Sequence, residues 1–206
     1  MSTRIAKSKS VMRKAPSQSR SRATVAAIVE AATRILAAQG WAAFTTNKVA
    51  EAAGVSIGSL YQYFPDKLSL IEAIRKQHLD DCLAVLRRAA AGGKTQSQLL
   101  EDLVGSIIAI HSIHPGLHRV LLDEAPSAET FRNPQDAFEQ EYLACYRTWV
   151  AAFRGGKARA SDEAIAIVLS DAIDGIVHNA ARRGTLQSAA VKTELMRLVR
   201  GYLESE

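Results

Sequence analysis

Residues 45 to 67 read TTNKVAEAAGVSIGSLYQYFPDK. Two short helices fit around a break at Gly54, one from Thr46 to Ala53 and one from Ile57 to Phe64. Ala50 and Gly54 stand four apart and are followed by Val55 and Leu60. Two helices crossing at a steep angle require this: a small side chain where the axes approach, glycine in the tight turn, and apolar residues gripping the second helix from behind. At roughly 1.5 Å per residue the second helix is about 12 Å long. That is too short to be stable alone, yet it matches a DNA major groove about 12 Å wide. Its outward residues Ser56, Ile57, Gly58, Ser59, Tyr61, Gln62 and Tyr63 carry no charge. Small and hydroxyl side chains let a backbone approach base edges, glutamine pairs bidentately with adenine, and tyrosine stacks on sugars or donates to phosphate. Lys48 and Lys67 flank the pair where phosphates would run. The competing reading is a packed corner of a helical bundle with half-buried tyrosines, because the same geometry occurs in proteins that never touch DNA.

Outward from this corner the pattern stays helical. Val25, Ile28, Val29, Ala32, Ile35 and Leu36 form one buried stripe, and Gly40 supplies a stop. Trp41 and Phe44 offer bulky surface to lock that helix onto the next segment. Pro65-Asp66 opens a long helix to about Arg88, ended by Gly92-Gly93. Thr95 and Gln98 form a capping box for a helix to about His111. Pro115 suits the first turn of a short helix ending near Asp123. A stretch starting or kinked at Asn133-Pro134 runs to Phe153 and stops at Gly155-Gly156. Ser161 with Asp162 and Glu163 caps the next helix, which ends at Gly184, and Ser188 caps the last. No segment keeps period two for long, so the predicted class is all-α with about nine helices.

The chain has 206 residues, 48% hydrophobic and 23% charged, enough for a sizeable core. No window approaches the 18 or so uninterrupted apolar residues of a membrane span. Cys82 and Cys145 make neither a disulfide framework nor metal-ligand spacing, which fits a reducing cytosol. The net charge of +5 is uneven: the first 22 residues hold seven basic and no acidic residues, leaving a net −2 on the rest. Residues 1–21 are too poor in apolar surface to offset their ordering entropy and are expected to be a disordered tail. A flexible phosphate-attracting arm, an organellar transit peptide and a solubilising extension all fit its composition.

Residues 22 to 75 resemble the DNA-binding domain of TetR/AcrR-type transcriptional regulators. The matching features are the first helix ending at Gly40, Thr45-Thr46, Val49-Ala50, Ala53-Gly54-Val55-Ser56, Gly58-Ser59-Leu60-Tyr61, Tyr63-Phe64, Lys67 and Leu70. Leu36 stands where phenylalanine is usual, Ser59 where threonine is commoner, and the basic tail is longer than usual. The resemblance implies a helix-turn-helix domain over 22–67 and an effector-binding and dimerisation domain over 68–206. It implies a dimeric regulator, usually a repressor, of the bacterial cytosol, bound to a DNA operator and a small-molecule effector. Carried over by position, Thr45, Thr46 and Lys48 would contact phosphate, and Asn47 a base or phosphate. Ile57, Gly58, Ser59 and Gln62 would face bases, while Tyr61, Tyr63 and Lys67 would hold the backbone.

One short reading helix recognises too few base pairs, so two copies on a symmetric site are expected on physical grounds as well. On the last two helices, Ala172, Gly175, Ile176, Leu195, Leu198 and Val199 are the candidate interface, although such stripes also pack within one subunit. Phe138, Tyr142, Tyr146 and Trp149 give one helix an aromatic face, either plain core or, with Asp171 and His178, the lining of an effector pocket. Asp174 lies on the same neighbouring helix. His111, His114 and His118 have spacings that could bring imidazoles together on a metal. Pro115 interrupts the run, so no metal or other cofactor is expected. The absence of a phosphate-binding glycine loop, HExxH or nucleophile elbow argues against an enzyme. A DNA-binding factor controlled by a partner rather than a ligand is the remaining alternative.

Overall fold

The stripe from Val25 to Leu36 dictates the first element. In the computed structural model, which describes residues 19–91, 93–126, 137–156 and 158–204, it lies on α1 (Ser19–Ala43), burying Ile28, Val29, Ala32, Ile35 and Leu36. α1 begins inside the span assigned to the tail; residues 1–18 lie outside the described ones. At Gly40, with φ 75° and ψ 175°, the backbone leaves the helical region, so the long first helix stops there as expected and a short helical stretch follows across the kink to Ala43. Open space at Gly40 is limited too: a Cβ there would sit 2.8 Å from Glu124 Oε2, and the Trp41 N–H donates to that same oxygen at 3.0 Å. A carboxylate brought from far along the chain thus satisfies a donor freed by the kink.

The remaining helices follow their predicted starts closely. α2 (Thr46–Ala52) and α3 (Ile57–Tyr63) form the steep pair, and α4 (Lys67–Ala89) is capped reciprocally by Asp66 and Ser69. α5 (Gln96–Ser112) carries the Thr95–Gln98 capping box. After Pro115 comes a single short turn, α6 (Leu117–Arg119), which runs directly into a π turn, Val120–Glu124. α7 spans Ala137–Phe153, α8 Asp162–Arg182 and α9 Ala189–Glu204. The predicted start at Asn133-Pro134 lies outside the described residues. Ser161 does not cap α8: its side chain makes no capping bond. Asp162, the first residue of α8, instead accepts from the Arg159 N–H of the preceding turn at 2.7 Å and pairs with Arg154 at 3.1 Å inside the protein. No strand occurs among the described residues.

Two apolar cores divide the molecule. The larger joins α4, α5, α7, α8 and α9 around Leu100, Leu103, Trp149, Leu169 and Val199. The smaller joins α1, α2, α3 and the start of α4 around Ile28, Phe44, Leu60, Phe64 and Leu70. It does not stop at Lys67: Ile71 and Ile74 of α4 belong to it, and so do Leu117, Val120, Leu121 and Ala125 from around α6. Gly116 permits this approach, because a Cβ there would lie 2.2 Å from the Ala37 carbonyl oxygen. Arg75, buried on α4, reinforces the junction by donating to the Pro126 carbonyl at 3.0 Å and pairing with Glu72 at 2.7 Å. α8 is long and apolar enough by composition to cross a bilayer, but its Ile165, Leu169, Ile173 and Val177 are used in the larger core.

Candidate nucleic-acid interface

The corner is built from local bonds. Thr45 caps α2 by accepting from the Lys48 N–H at 3.3 Å, and Ser56 caps α3 by accepting from the Ser59 N–H at 3.1 Å. Between them Gly54 takes φ 67°, a left-handed conformation that costs a glycine little. The Val55 N–H then donates to the Ala50 carbonyl at 3.0 Å, closing the turn. Leu60 and Phe64 are fully buried and anchor α3 from behind. The two helices are also tied at their outer edge, where Thr46 Oγ1 and the Tyr61 hydroxyl lie 3.1 Å apart.

This anchoring leaves α3 facing outward. Ile57 is 38% exposed and Tyr61 41%; Gly58 and Gln62 are exposed as well, while Ser59 and Tyr63 are half-buried. Ser59 bonds to Ser56 at 2.8 Å, so its hydroxyl serves the cap. Asn47, Thr45 and Lys48 are exposed on α2's leading edge and Thr46 is half-buried. Both flanking lysines have partners inside the protein. Lys48 Nζ donates to Gln39 Oε1 at 2.8 Å and the Ala43 carbonyl at 3.0 Å, where the end of α1 presents unsatisfied oxygens. Lys67 Nζ lies 3.9 Å from the centroid of the Trp41 ring, a cation–π contact. An uncharged face bordered by held cations suits base edges between phosphates.

Farther along, the residues singled out for a pocket and an interface are distributed differently. Tyr146 and Trp149 are fully buried in the larger core, Tyr142 nearly so, and Phe138 packs against its edge. The Tyr142 hydroxyl donates to Asp174 at 2.8 Å, and burial raises the phenol's pKa well above its ordinary value. Asp171 is exposed and His178 half-buried. Leu195 and Val199 are consumed by the subunit's own core, whereas Gly175 is exposed, Ala172 and Ile176 are half-buried, and Leu198 stands 45% exposed. Ile167 and Val168 on α8 extend that exposed apolar surface.

A cavity of about 510 Å³ lies instead between α1, α4, α5 and α6, lined by Val29, Thr33, Ile74, His78, Ile110 and His118 among others. Beside it four histidines meet, of which His78 and His118 line the cavity. His111 and His118 stack at 4.3 Å between ring centroids, His178 lies 4.9 Å from His118, and His78 lies 4.6 Å from it. Burial, reinforced by mutual repulsion, lowers their basicity: His78 to about 3, His111 to about 4, and His118 further still. All three are therefore neutral imidazoles near pH 7. Cys82 Sγ lies 3.5 Å from His78 Nε2, and burial pushes its thiol up to about 12. His114 does not join them; it turns toward Glu30, 4.0 Å away. The expectation that Pro115 keeps these rings apart thus holds for His114 and fails for His111 and His118. The turn at Gly116 folds α6 back, so that His118 returns onto His111.

Residues 28–74 match the family described as bacterial regulatory proteins, tetR family, and residues 97–203 match a tetracyclin repressor-like C-terminal domain. The HTH-type transcriptional repressor KstR2 of Rhodococcus jostii (strain RHA1) is 35% identical over 77 residues, 37% of this chain and 38% of the relative. The nucleoid occlusion factor SlmA of Haemophilus influenzae (strain PittGG) is 33% identical over 88 residues, 42% of this chain and 40% of the relative. The chain thus spans about two-fifths of the length of these curated relatives. Among solved structures, the fatty acid degradation regulator FadR from Bacillus halodurans superposes with a TM-score of 0.67 at 19% identity, covering 87% of this chain and 94% of that one.

Proposed function

The chain belongs to the tetR family of bacterial regulatory proteins, and on that premise we propose that it is a transcriptional repressor of the bacterial cytosol, not an enzyme, which binds a palindromic operator as a homodimer. The observation that carries this reading is the charge-free outer face of α3, held rigid from behind by Leu60 and Phe64. Ile57, Gly58 and Gln62 meet base edges, and Tyr61, Tyr63, Thr45, Thr46 and Asn47 address the backbone. Lys48 and Lys67 exchange their internal partners for phosphate. The exposed Ile167, Val168 and Leu198, with Gly175, supply the surface for a second copy.

A small-molecule effector bound in the bundle shifts the population between a spacing of the two α3 helices that fits the operator and one that does not. The cavity beside α4 supports this reading, because α4 follows α3 directly. The bonds from Glu124 to Trp41 and from Arg75 to Pro126 give such a shift a route to the reading corner. A hundredfold release of DNA requires the effector to prefer the non-binding conformer by about 2.7 kcal/mol.

Selection of bound sequences from random oligonucleotides tests the proposal. It should return a twofold-symmetric consensus with half-sites one helical turn, about 34–36 Å, or a multiple of it apart. Gln62→Ala should alter the preferred base at one position per half-site while leaving the consensus symmetric. Recovery of no symmetric consensus in dilute buffer would overturn the proposal.

A further inference from the structure

Four imidazoles gathered in one buried place need a reason. Each brings two ring nitrogens that burial strips of water. These side chains come from four different elements: His78 from α4, His111 from the end of α5, His118 from α6 and His178 from α8. His118 is 3% exposed and faces His78, His111 and His178.

We propose that His78, His111, His118 and His178 form a binding site for a divalent first-row transition-metal ion of the cobalt-to-zinc group. One nitrogen each of His111, His118 and His178 falls within a set whose members all lie within 4.8 Å of one another. A small inward movement brings them to the ~2.0–2.1 Å bond length of imidazole on zinc. His78, with its ring centroid 4.6 Å from that of His118 and 5.1 Å from that of His111, closes the fourth side.

The surroundings are those of a metal site. His111 Nδ1 lies 2.8 Å from the Ile107 carbonyl oxygen. A carbonyl only accepts, so Nδ1 carries the proton and Nε2 keeps its lone pair for the ion. This outer hydrogen bond is the one that metal-bound histidines usually make. Asp174 lies one turn before His178 and acts electrostatically on His111, offsetting part of the ion's charge. Four nitrogen donors, with the Cys82 sulfur beside His78 and His111 as a further candidate ligand, favour zinc, nickel, cobalt or copper over magnesium or calcium. The adjoining cavity, on which His78 and His118 open, provides a way in.

Occupancy would fasten α4 and α6 to α5 and α8, and hence the smaller core to the larger. The metal is in that case the effector, or part of it, and this half of the inference rests on the DNA-binding reading above.

The test uses the full chain, stripped with a chelator and titrated with Zn²⁺, Ni²⁺ and Co²⁺ against a chromophoric competitor. One ion should bind per chain. His111→Ala, His118→Ala and His178→Ala should each weaken binding by at least about a hundredfold, beyond what loss of a supporting hydrogen-bond partner costs, and His114→Ala should leave it unchanged. X-ray absorption of the zinc-loaded wild type should show an imidazole shell at about 2.0–2.1 Å, which decides the matter even if a variant fails to fold. Absence of stoichiometric binding, or binding undiminished in all three folded variants, would overturn the site. Operator affinity with and without the ion should differ at least tenfold. An unchanged affinity in protein that does bind metal would overturn the effector role. If neither form binds any selected DNA, the DNA-binding reading fails while the metal titration still stands.

Discussion

The reading corner and the histidine junction are assembled in opposite ways. The corner takes its cap, turn glycine, small contact residue and anchors from one run, Thr45 to Phe64, and its capping and turn bonds each span a few residues. The junction draws His78, His111, His118 and His178 from four elements that meet only when both cores have formed. A locally built site keeps its shape under changes elsewhere. A site assembled from remote parts registers every shift between those parts, as a regulator's input requires.

The largest effect should come from removing the corner's anchor. Phe64→Ala leaves a cavity behind α3 and should cost about 3–5 kcal/mol, read from the urea midpoint, with loss of DNA binding. A cost under about 1 kcal/mol would mean that α3 does not depend on its apolar rear face. Next, Gly116→Val forces a side chain against the Ala37 carbonyl and should cost about 1–3 kcal/mol by overpacking. If the junction is the remote-built site described, this change should disturb metal binding more than the sequence preference of DNA binding. Glu124→Ala removes the acceptor of the Trp41 N–H and should lower stability by only about 1 kcal/mol. Its sharper signature should be a weakened response of DNA affinity to effector. Smallest of all, Lys48→Ala should leave stability within about 0.5 kcal/mol and weaken binding to all DNA sequences alike, lowering the salt slope by about 1.

The same contrast explains what the sequence revealed. The α2–α3 pair and the Thr95 capping box were legible because propensity, capping and periodicity act within a few residues. Gly40 was legible as a break, and the backbone does break there; the acceptor of the Trp41 N–H that follows it was not, because it is Glu124, far along the chain. Leu195 and Val199 looked like interface and are core, since an apolar stripe does not say which partner covers it. The histidines were visible only in part. His111, His114 and His118 stood out by spacing and His178 as a pocket candidate, but nothing local joined His178 to the others, His78 gave no sign, and the return of α6 depends on a glycine whose neighbour is Ala37.

The shared ownership of the segment around α6 bears on anyone who would borrow the α1–α4 head of this chain for another sensor. Leu117, Val120, Leu121 and Ala125 complete the smaller apolar core that holds α1, α2 and α3. A fragment cut after α4 would therefore carry an open seam and should unfold or aggregate. Any transplant has to take both pieces of chain, 19–91 and 116–125, or supply a substitute for the missing wedge.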